Sequence, residues 1–237
     1  MSNVLAIIPA RSGSKGIPGK NFRDLCGASP TQRALSVANG LSPIDVAVTS
    51  DSNDVFSLRG RFMPIGRPIA LATDSAAMVD VVKFALEQIP GPPDQKIVLL
   101  QPTQPLREPK HITQALALLD ASVDSVVSVV ELPRTHHPEL ALCVDDGRLL
   151  RLWPDECAYW EAPYQGLRYL PTRRQDVTPA YVRDGTAYCF HRRTVEQHGN
   201  IYGEKVKPLI IPASETQALD SPEDWAEAER RLRARAT

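Results

Sequence analysis

The stretch "VLAIIPARSGSKGIPGKN", residues 4–21, begins as an unbroken apolar run and ends as a glycine-rich, basic loop. Val4 to Ile8, closed by Pro9, reads as a strand buried on both faces, the pattern of a parallel sheet. Gly13, Gly16 and Gly19 then intersperse with Arg11, Lys15 and Lys20. Glycine lets a backbone approach a ligand and aim its N–H groups at phosphate oxygens. Lysine and arginine add charge against a polyphosphate and against the charge that shifts onto a leaving group. The competing reading is a surface loop with scattered charge. Its position directly after a buried first strand favours a polyphosphate site.

Two familiar phosphate loops do not fit. Walker A requires G-x4-G-K-[ST], but Lys20 is followed by Asn21, and the position for the leading glycine holds Ser14. The dinucleotide pattern G-x-G-x-x-G fails because Gly13, Gly16 and Gly19 are evenly spaced.

Strand-like runs recur at Ile44 to Val48, Lys96 to Leu100 and the valine-rich Asp124 to Val130. Helical stripes lie between them, at Met78, Val82, Ala85 and Ile89, and at Ile112, Ala115, Leu116 and Leu119. This alternation predicts an α/β layer fold with a mostly parallel sheet. From about 132 to 182 prolines and aromatics replace the stripes, and "ALCVDDGRLLRLW" (141–153) predicts a β-hairpin turning at Asp146-Gly147. That stretch is expected to be a subdomain inserted in a single domain spanning 1–237. Gly185 to Phe190 and Val206 to Ile211 return as strands. A last helix is expected from Pro222, with Ser221 as N-cap and Asp224 as its reciprocal partner.

With 27 basic and 28 acidic residues the net charge is -1, which argues against a general nucleic-acid binder. No apolar run approaches a membrane span. Cys26, Cys143, Cys157 and Cys189 lack metal or CxxC spacing and read as reduced thiols of a cytoplasmic protein.

The loop "IPARSGSKGIPGKN" (8–21) resembles the signature of the acylneuraminate cytidylyltransferases, also called CMP-sialic acid synthetases. Further segments agree in order: "VTSD" (48–51), "RPIALATDSA" (67–76), "LLQPTQPLR" (99–107), "DSVVSV" (124–129) with "HHP" (136–138), "RRQD" (173–176) and "DGTAYCF" (184–190). The resemblance is weakest between about 28 and 66. It implies a Rossmann-like nucleotidyltransferase fold whose small inserted subdomain makes a homodimer. It also implies transfer of CMP from CTP to a 2-keto-3-deoxy sugar acid with release of pyrophosphate, assisted by Mg2+ or Mn2+.

By the same resemblance Arg11 and Lys15 would meet the triphosphate, with Lys20 near the α-phosphate. Ala10, Ser12, Gly13, Asn21 and Arg67 would serve the nucleotide, Arg67 near base or ribose. Gln101 and Tyr188 would contact the sugar, and Arg174 its carboxylate. Asp220 would hold the metal.

The sequence departs from the family pattern in three places. The metal segment, two aspartates one residue apart in the family, reads Ala218 and Asp220 here. Met78 stands where a small hydroxyl residue contacts the base, although the helical stripe also places it in the core. The stretch around 54–66 is short. Asp224 is read as a helix cap and Asp51 as a loop-capping acid. His136 and His137, expected to face opposite ways, are read as a polar loop rather than metal ligands, and His111, His191 and His198 as surface residues. Trp153, Tyr159 and Trp160 are read as a dimer contact or small core, with a sugar-stacking wall as the alternative. Rival functions are transfer to a 3-deoxy-octulosonate or a phosphonate, use of another nucleotide, a silent nucleotide-binding protein, and a pure interaction module.

Overall fold

The computed structural model describes residues 2–41, 43–140, 142–145, 148–151 and 179–236. The chain runs β1 (Val4–Pro9), α1 (Pro30–Asn39), β2 (Asp45–Ser50), β3 (Met63–Gly66), α2 (Met78–Gln88), β4 (Lys96–Leu99), α3 (Pro109–Leu118) and β5 (Ser125–Glu131). It continues through β6 (Leu142–Asp145), β7 (Arg148–Arg151), β8 (Tyr181–His191), α4 (Arg192–His198), β9 (Val206–Ile210) and α5 (Pro222–Ala236). Seven strands form one sheet in the order β3-β2-β1-β4-β8-β5-β9. β3, β2, β1 and β4 are mutually parallel, as are β5 and β9, while β8 runs antiparallel to β4 with Leu99 opposite Tyr188. The expected α/β class and mostly parallel sheet are observed.

Alternation along the central strands builds a core on each face of the sheet. Ala6 and Ile8 of β1 join Val46, Val48, Val98 and Leu100 against Leu35 of α1 and Ile112 of α3. Leu5 and Ile7 join Ile97, Leu99 and Phe190 against Val82 and Ala85 of α2. A third cluster, Ile17, Leu25, Leu219, Trp225 and Ala228, packs the basic loop against α5.

Three elements lack a clear sequence signal. α1 buries the small side chains Thr31, Ala34 and Ala38 beside Leu35, so its apolar stripe is faint. Its start is set by Ser29, whose hydroxyl accepts the Gln32 amide at 3.2 Å, with Pro30 in the first turn. β3 is a four-residue edge strand containing Pro64, a residue tolerated only at an edge. α4 is seven residues long and stops at Gly199, whose φ of 67° needs a glycine. The short stretch at 54–66 accordingly holds a 3₁₀ turn, Asn53–Ser57, and β3.

Backbone contacts divide the chain into two compact units, Met1–Val129 with Arg183–Thr237, and Val130–Val182. In the second unit, the Leu132 amide donates to the Ala180 carbonyl at 2.8 Å. β6 and β7 pair antiparallel with Asp145 opposite Arg148, as a hairpin requires. The predicted turn residues Asp146 and Gly147 lie outside the described residues, as do Cys157, Trp153, Tyr159 and Trp160. His136 lies in a 3₁₀ turn rather than a strand; it is exposed, whereas His137, which caps that turn, is buried.

Two histidine expectations are corrected. His111 and His191 are buried, at 1% and 4% exposure. The cause is that the fold brings hydrogen-bond partners to each ring, which offsets the usual cost of burying an imidazole. His111 Nδ1 accepts the Glu108 amide at 3.2 Å and Nε2 lies 2.7 Å from Glu215. His191 places its nitrogens 3.3 and 3.1 Å from the carbonyls of Asp94 and Asp120. Among the described residues no helix is long and apolar enough to cross a membrane.

Candidate active site

The basic loop leaves the carboxyl end of β1 and is tied down at several points. The Ala10 amide donates to the Thr49 carbonyl at 2.9 Å, extending the β1–β2 pairing by one residue. Asp51, just past β2, takes Ser12 with both oxygens, accepting its amide at 2.7 Å and its hydroxyl at 2.5 Å. Burial raises the pKa of Asp51, but the hydrogen bonds from Ser12 outweigh it and hold the carboxyl below its ordinary range. Asn21 is buried and spans the loop from the other end. Its side-chain amide donates to the Arg11 carbonyl at 2.9 Å, and its own carbonyl accepts both donors of Thr31. Asn21 therefore acts on the loop's shape.

Of the three glycines, two have a structural requirement. Gly19 has a φ of 64°. Gly16 passes so close to the Asp220 backbone that a Cβ would overlap the Asp220 carbonyl oxygen. Gly13 has open space where its Cβ would be.

The cations are held by acids and carbonyls. Arg11 Nη2 lies 2.5 Å from Asp74 Oδ1, and Lys15 Nζ 3.1 Å from the other oxygen of the same carboxylate. Lys20 is mostly buried; its ammonium donates to the Leu219 carbonyl and lies 3.7 Å from Asp220 Oδ1. Desolvation lowers its pKa, with Asp220 opposing that shift.

Arg67 follows β3 and is buried, with Nη2 donating to the Thr49 carbonyl at 2.9 Å. Burial brings its pKa down to about 10, with Asp51 opposing and Arg11 reinforcing the shift. Its Nε and the Thr49 hydroxyl are buried without a hydrogen-bond partner. Met78 starts α2 and packs, partly buried, on the core that α2 covers, which accounts for an apolar residue there.

On the other side of β4, Arg107 is buried and donates to three carbonyls: Thr186 at 2.5 Å, Gln101 at 2.7 Å and Gly185 at 3.1 Å. It locks the loop after β4 to β8 at Gly185, whose φ is 80°. The side-chain oxygen of Gln101 lies beside Gly185, 3.5 Å from where a Cβ would stand. Tyr188 sits deeper, 9% exposed and edge-on to Tyr202, and burial raises its phenol pKa. Arg174 lies outside the described residues.

Asp220 is exposed, its side chain 78% accessible. Asp224 is committed to the start of α5, where Oδ2 accepts the Ser221 amide at 2.9 Å and hydroxyl at 3.0 Å. Ser221 Oγ in turn accepts the Asp224 amide, the reciprocal cap expected. Among the described residues no three His, Cys, Asp or Glu side chains gather to hold a metal.

The structure thus brings Arg11, Lys15, Lys20, Ser12, Asn21 and Asp220 around one loop, with Arg67 behind it and Gln101 and Tyr188 along the β4–β8 border. Sequence reasoning missed Asp74 as the shared partner of Arg11 and Lys15, and Arg107 as the clamp on Gln101. Both lie inside motif segments, 67–76 and 99–107, but nothing in the segments reveals what they touch.

Residues 5–216 match the family model described as Cytidylyltransferase. The chain is 31% identical over 241 residues to the CMP-N,N'-diacetyllegionaminic acid synthase of Legionella pneumophila, covering 96% of this chain and 95% of that protein. It is 32% identical over 229 residues to an N-acylneuraminate cytidylyltransferase of Streptococcus agalactiae, of whose length it spans about half (51%). It is 28% identical over 254 residues to an 8-amino-3,8-dideoxy-manno-octulosonate cytidylyltransferase of Shewanella baltica, covering 97% and 98%. Among solved structures, a CMP:2-keto-3-deoxy-manno-octonic acid synthetase complexed with CTP superposes with a TM-score of 0.69 at 16% identity, over the whole of both chains. That likeness bears on the fold, while the family match runs from β1 to the turn before Asp220. The sheet order, the basic loop after β1 and this match lead to one conclusion: the chain belongs to the cytidylyltransferase family.

Proposed function

We propose that this protein activates a 2-keto-3-deoxy sugar acid, sialic, legionaminic or a related nonulosonic acid, with CTP, giving the CMP-sugar and pyrophosphate. The observation that carries the reading is the assembly of Arg11, Lys15 and Lys20 on one loop after β1, with Asp220 3.7 Å from Lys20. The likeness to sialic and legionaminic acid enzymes supports the acceptor class.

In this reading the anomeric hydroxyl oxygen attacks the α-phosphorus, and the bond from that phosphorus to the oxygen bridging the β-phosphate breaks. The hydroxyl proton passes to a phosphate oxygen or to water, and the departing charge ends on pyrophosphate. Lys20, desolvated beside the Leu219 carbonyl, neutralises the α-phosphoryl oxygens, where a cation in a water-poor setting acts most strongly. Arg11 and Lys15 take the charge of the leaving pyrophosphate. Gly13 presents backbone to the phosphates, Asp51 through Ser12 and Asn21 through the Arg11 carbonyl hold the loop in register, and Arg67 serves the nucleoside. Gln101, Tyr188 and Arg174 orient the acid.

The donor set suits a hard divalent cation only if the nucleotide supplies most of its oxygens, since Asp220 is one exposed carboxylate with Ala218 where a second would stand. Asp220 and the triphosphate would hold Mg2+ or Mn2+, which supplies Lewis-acid charge at the phosphates. We also infer a homodimer and a cytoplasmic enzyme. The family resemblance supports the first, and the unpaired Cys26 and Cys189 together with the need for CTP support the second.

The test is pyrophosphate release with Mg2+, four nucleoside triphosphates and a panel of nonulosonic and octulosonic acids. Release with CTP and a nonulosonic acid is expected. Release only with an octulosonate moves the acceptor, and release only with another nucleotide moves the base. CTP binding without release for any pair overturns the transferase reading and makes Ala218 the first position to restore.

A further inference from the structure

Asp74 lies in the exposed connection between β3 and α2, yet one carboxylate spans two of the loop's cations. Oδ1 takes Arg11 at 2.5 Å and Oδ2 takes Lys15 at 3.1 Å, while Arg11 also reaches the Ala72 carbonyl at 3.5 Å. Lys15 is almost fully exposed and Asp74 is 39% exposed, so these are surface contacts that water and salt weaken. Hydrogen bonds from Lys15 and then Arg11 hold the Asp74 carboxyl below its ordinary range, so it is ionised at neutral pH.

The charges divide the site's acids into two kinds. Asp220, beside Lys20, has a future partner when a phosphate-bound cation arrives. Asp74 has none, because the groups it holds are those the polyphosphate must take. We propose that Asp74 is a displaceable counterion that occupies the polyphosphate position of Arg11 and Lys15, yields it to the triphosphate, and competes with pyrophosphate for the same two side chains after reaction. This rests on the proposed function. Asp74 touches no substrate atom in this scheme and acts only through Arg11 and Lys15.

The test is calorimetric titration of the full chain with pyrophosphate and Mg2+ for wild type, Asp74→Asn, Asp74→Ala and Asp74→Glu. Removing the charge is expected to tighten pyrophosphate binding by about three- to tenfold, the worth of one or two exposed ion pairs. Asp74→Glu should stay near wild type. In a Lys15→Ala background the gain from Asp74→Asn should shrink. A purely structural role predicts the opposite sign, weaker binding once Asp74 is neutralised. Unchanged or weaker pyrophosphate binding in both Asp74→Asn and Asp74→Ala overturns the proposal and leaves the transferase reading intact. Failure of the wild type to bind pyrophosphate overturns both.

Discussion

The ammonium of Lys20 donates to the backbone carbonyl of Leu219, 199 residues further along the chain. This contact joins the loop after β1 to the turn before α5, and it places the buried cation 3.7 Å from the Asp220 carboxylate. Around it, Ile17 and Leu25 pack on Leu219, Trp225 and Ala228, and the Leu219 amide donates to the Thr103 carbonyl at 3.1 Å. The three chain segments that would serve phosphate, metal and sugar are thereby one packed unit.

Lys20→Gln tests the charge directly. The glutamine keeps a polar N–H donor at the position but, in the proposed reading, leaves the α-phosphate without its cation. The expected result is a fall in kcat of about 10²–10³, the usual effect of removing one transition-state stabiliser, with the melting temperature nearly unchanged. Steady-state kinetics at saturating CTP reads it; a change confined to KM would show that Lys20 only binds.

Gly16→Ala tests the approach of loop and turn. The new methyl meets a backbone oxygen, which cannot rotate away, so Asp220 or the loop must shift. Activity should fall at least tenfold, with a stability loss of about 1–3 kcal/mol, the usual cost of overpacking. Thermal denaturation and pyrophosphate release together check this, and Gly13→Ala, where space is open, serves as the mild control for packing.

Asp51→Asn replaces an acceptor of two Ser12 donors by a group that accepts with one atom only. The loop keeps its Asn21 bridge but loses its fixed register at Ser12. The expected outcome is a drop of about tenfold in kcat/KM, a structural misplacement of phosphate donors. Asp51→Glu, with the charge kept and the reach altered, should not restore it.

Glu215 sets a pH dependence of stability. Hydrogen bonds from Lys110 and then His111 bring its pKa from 4.5 down to about 2, and the contact ties the turn before α5 to the start of α3. A depressed carboxyl pKa stabilises the fold above the unfolded value, and that contribution is lost as pH falls through the folded value. Between pH 4.5 and 2 the wild type should therefore lose melting temperature more steeply than Glu215→Gln, whose curve lies lower at pH 6 and converges on the wild type in acid. Parallel curves would remove Glu215 from the account.

The fold class was legible because it depends on local pattern. Val4 to Ile8 and Ile97 to Leu100 are unbroken apolar segments, and Val126 to Val130 is interrupted only by Ser128; such segments are buried on both faces wherever the chain places them. The cap of α5 was equally readable, since Ser221 and Asp224 act on each other across one turn. α1 was not, because Thr31, Ala34 and Ala38 pack against a helix-sized space that only the finished sheet defines. His111 and His191 read as surface residues for the same reason, as their burial depends on Glu215, Asp94 and Asp120, far away in sequence.

The same division runs through the site. Residue types and their spacing on one loop were enough to predict a basic, glycine-rich polyphosphate site after a first strand, because a loop's donors and charges are carried by the loop itself. That Asp74 joins Arg11 to Lys15, that Arg107 clamps Gln101 to Gly185, and that Gly16 must be glycine to clear Asp220 came from folding alone. Each is a contact between segments tens to hundreds of residues apart, and its geometry depends on how the sheet orders its strands, which short-range periodicity does not encode.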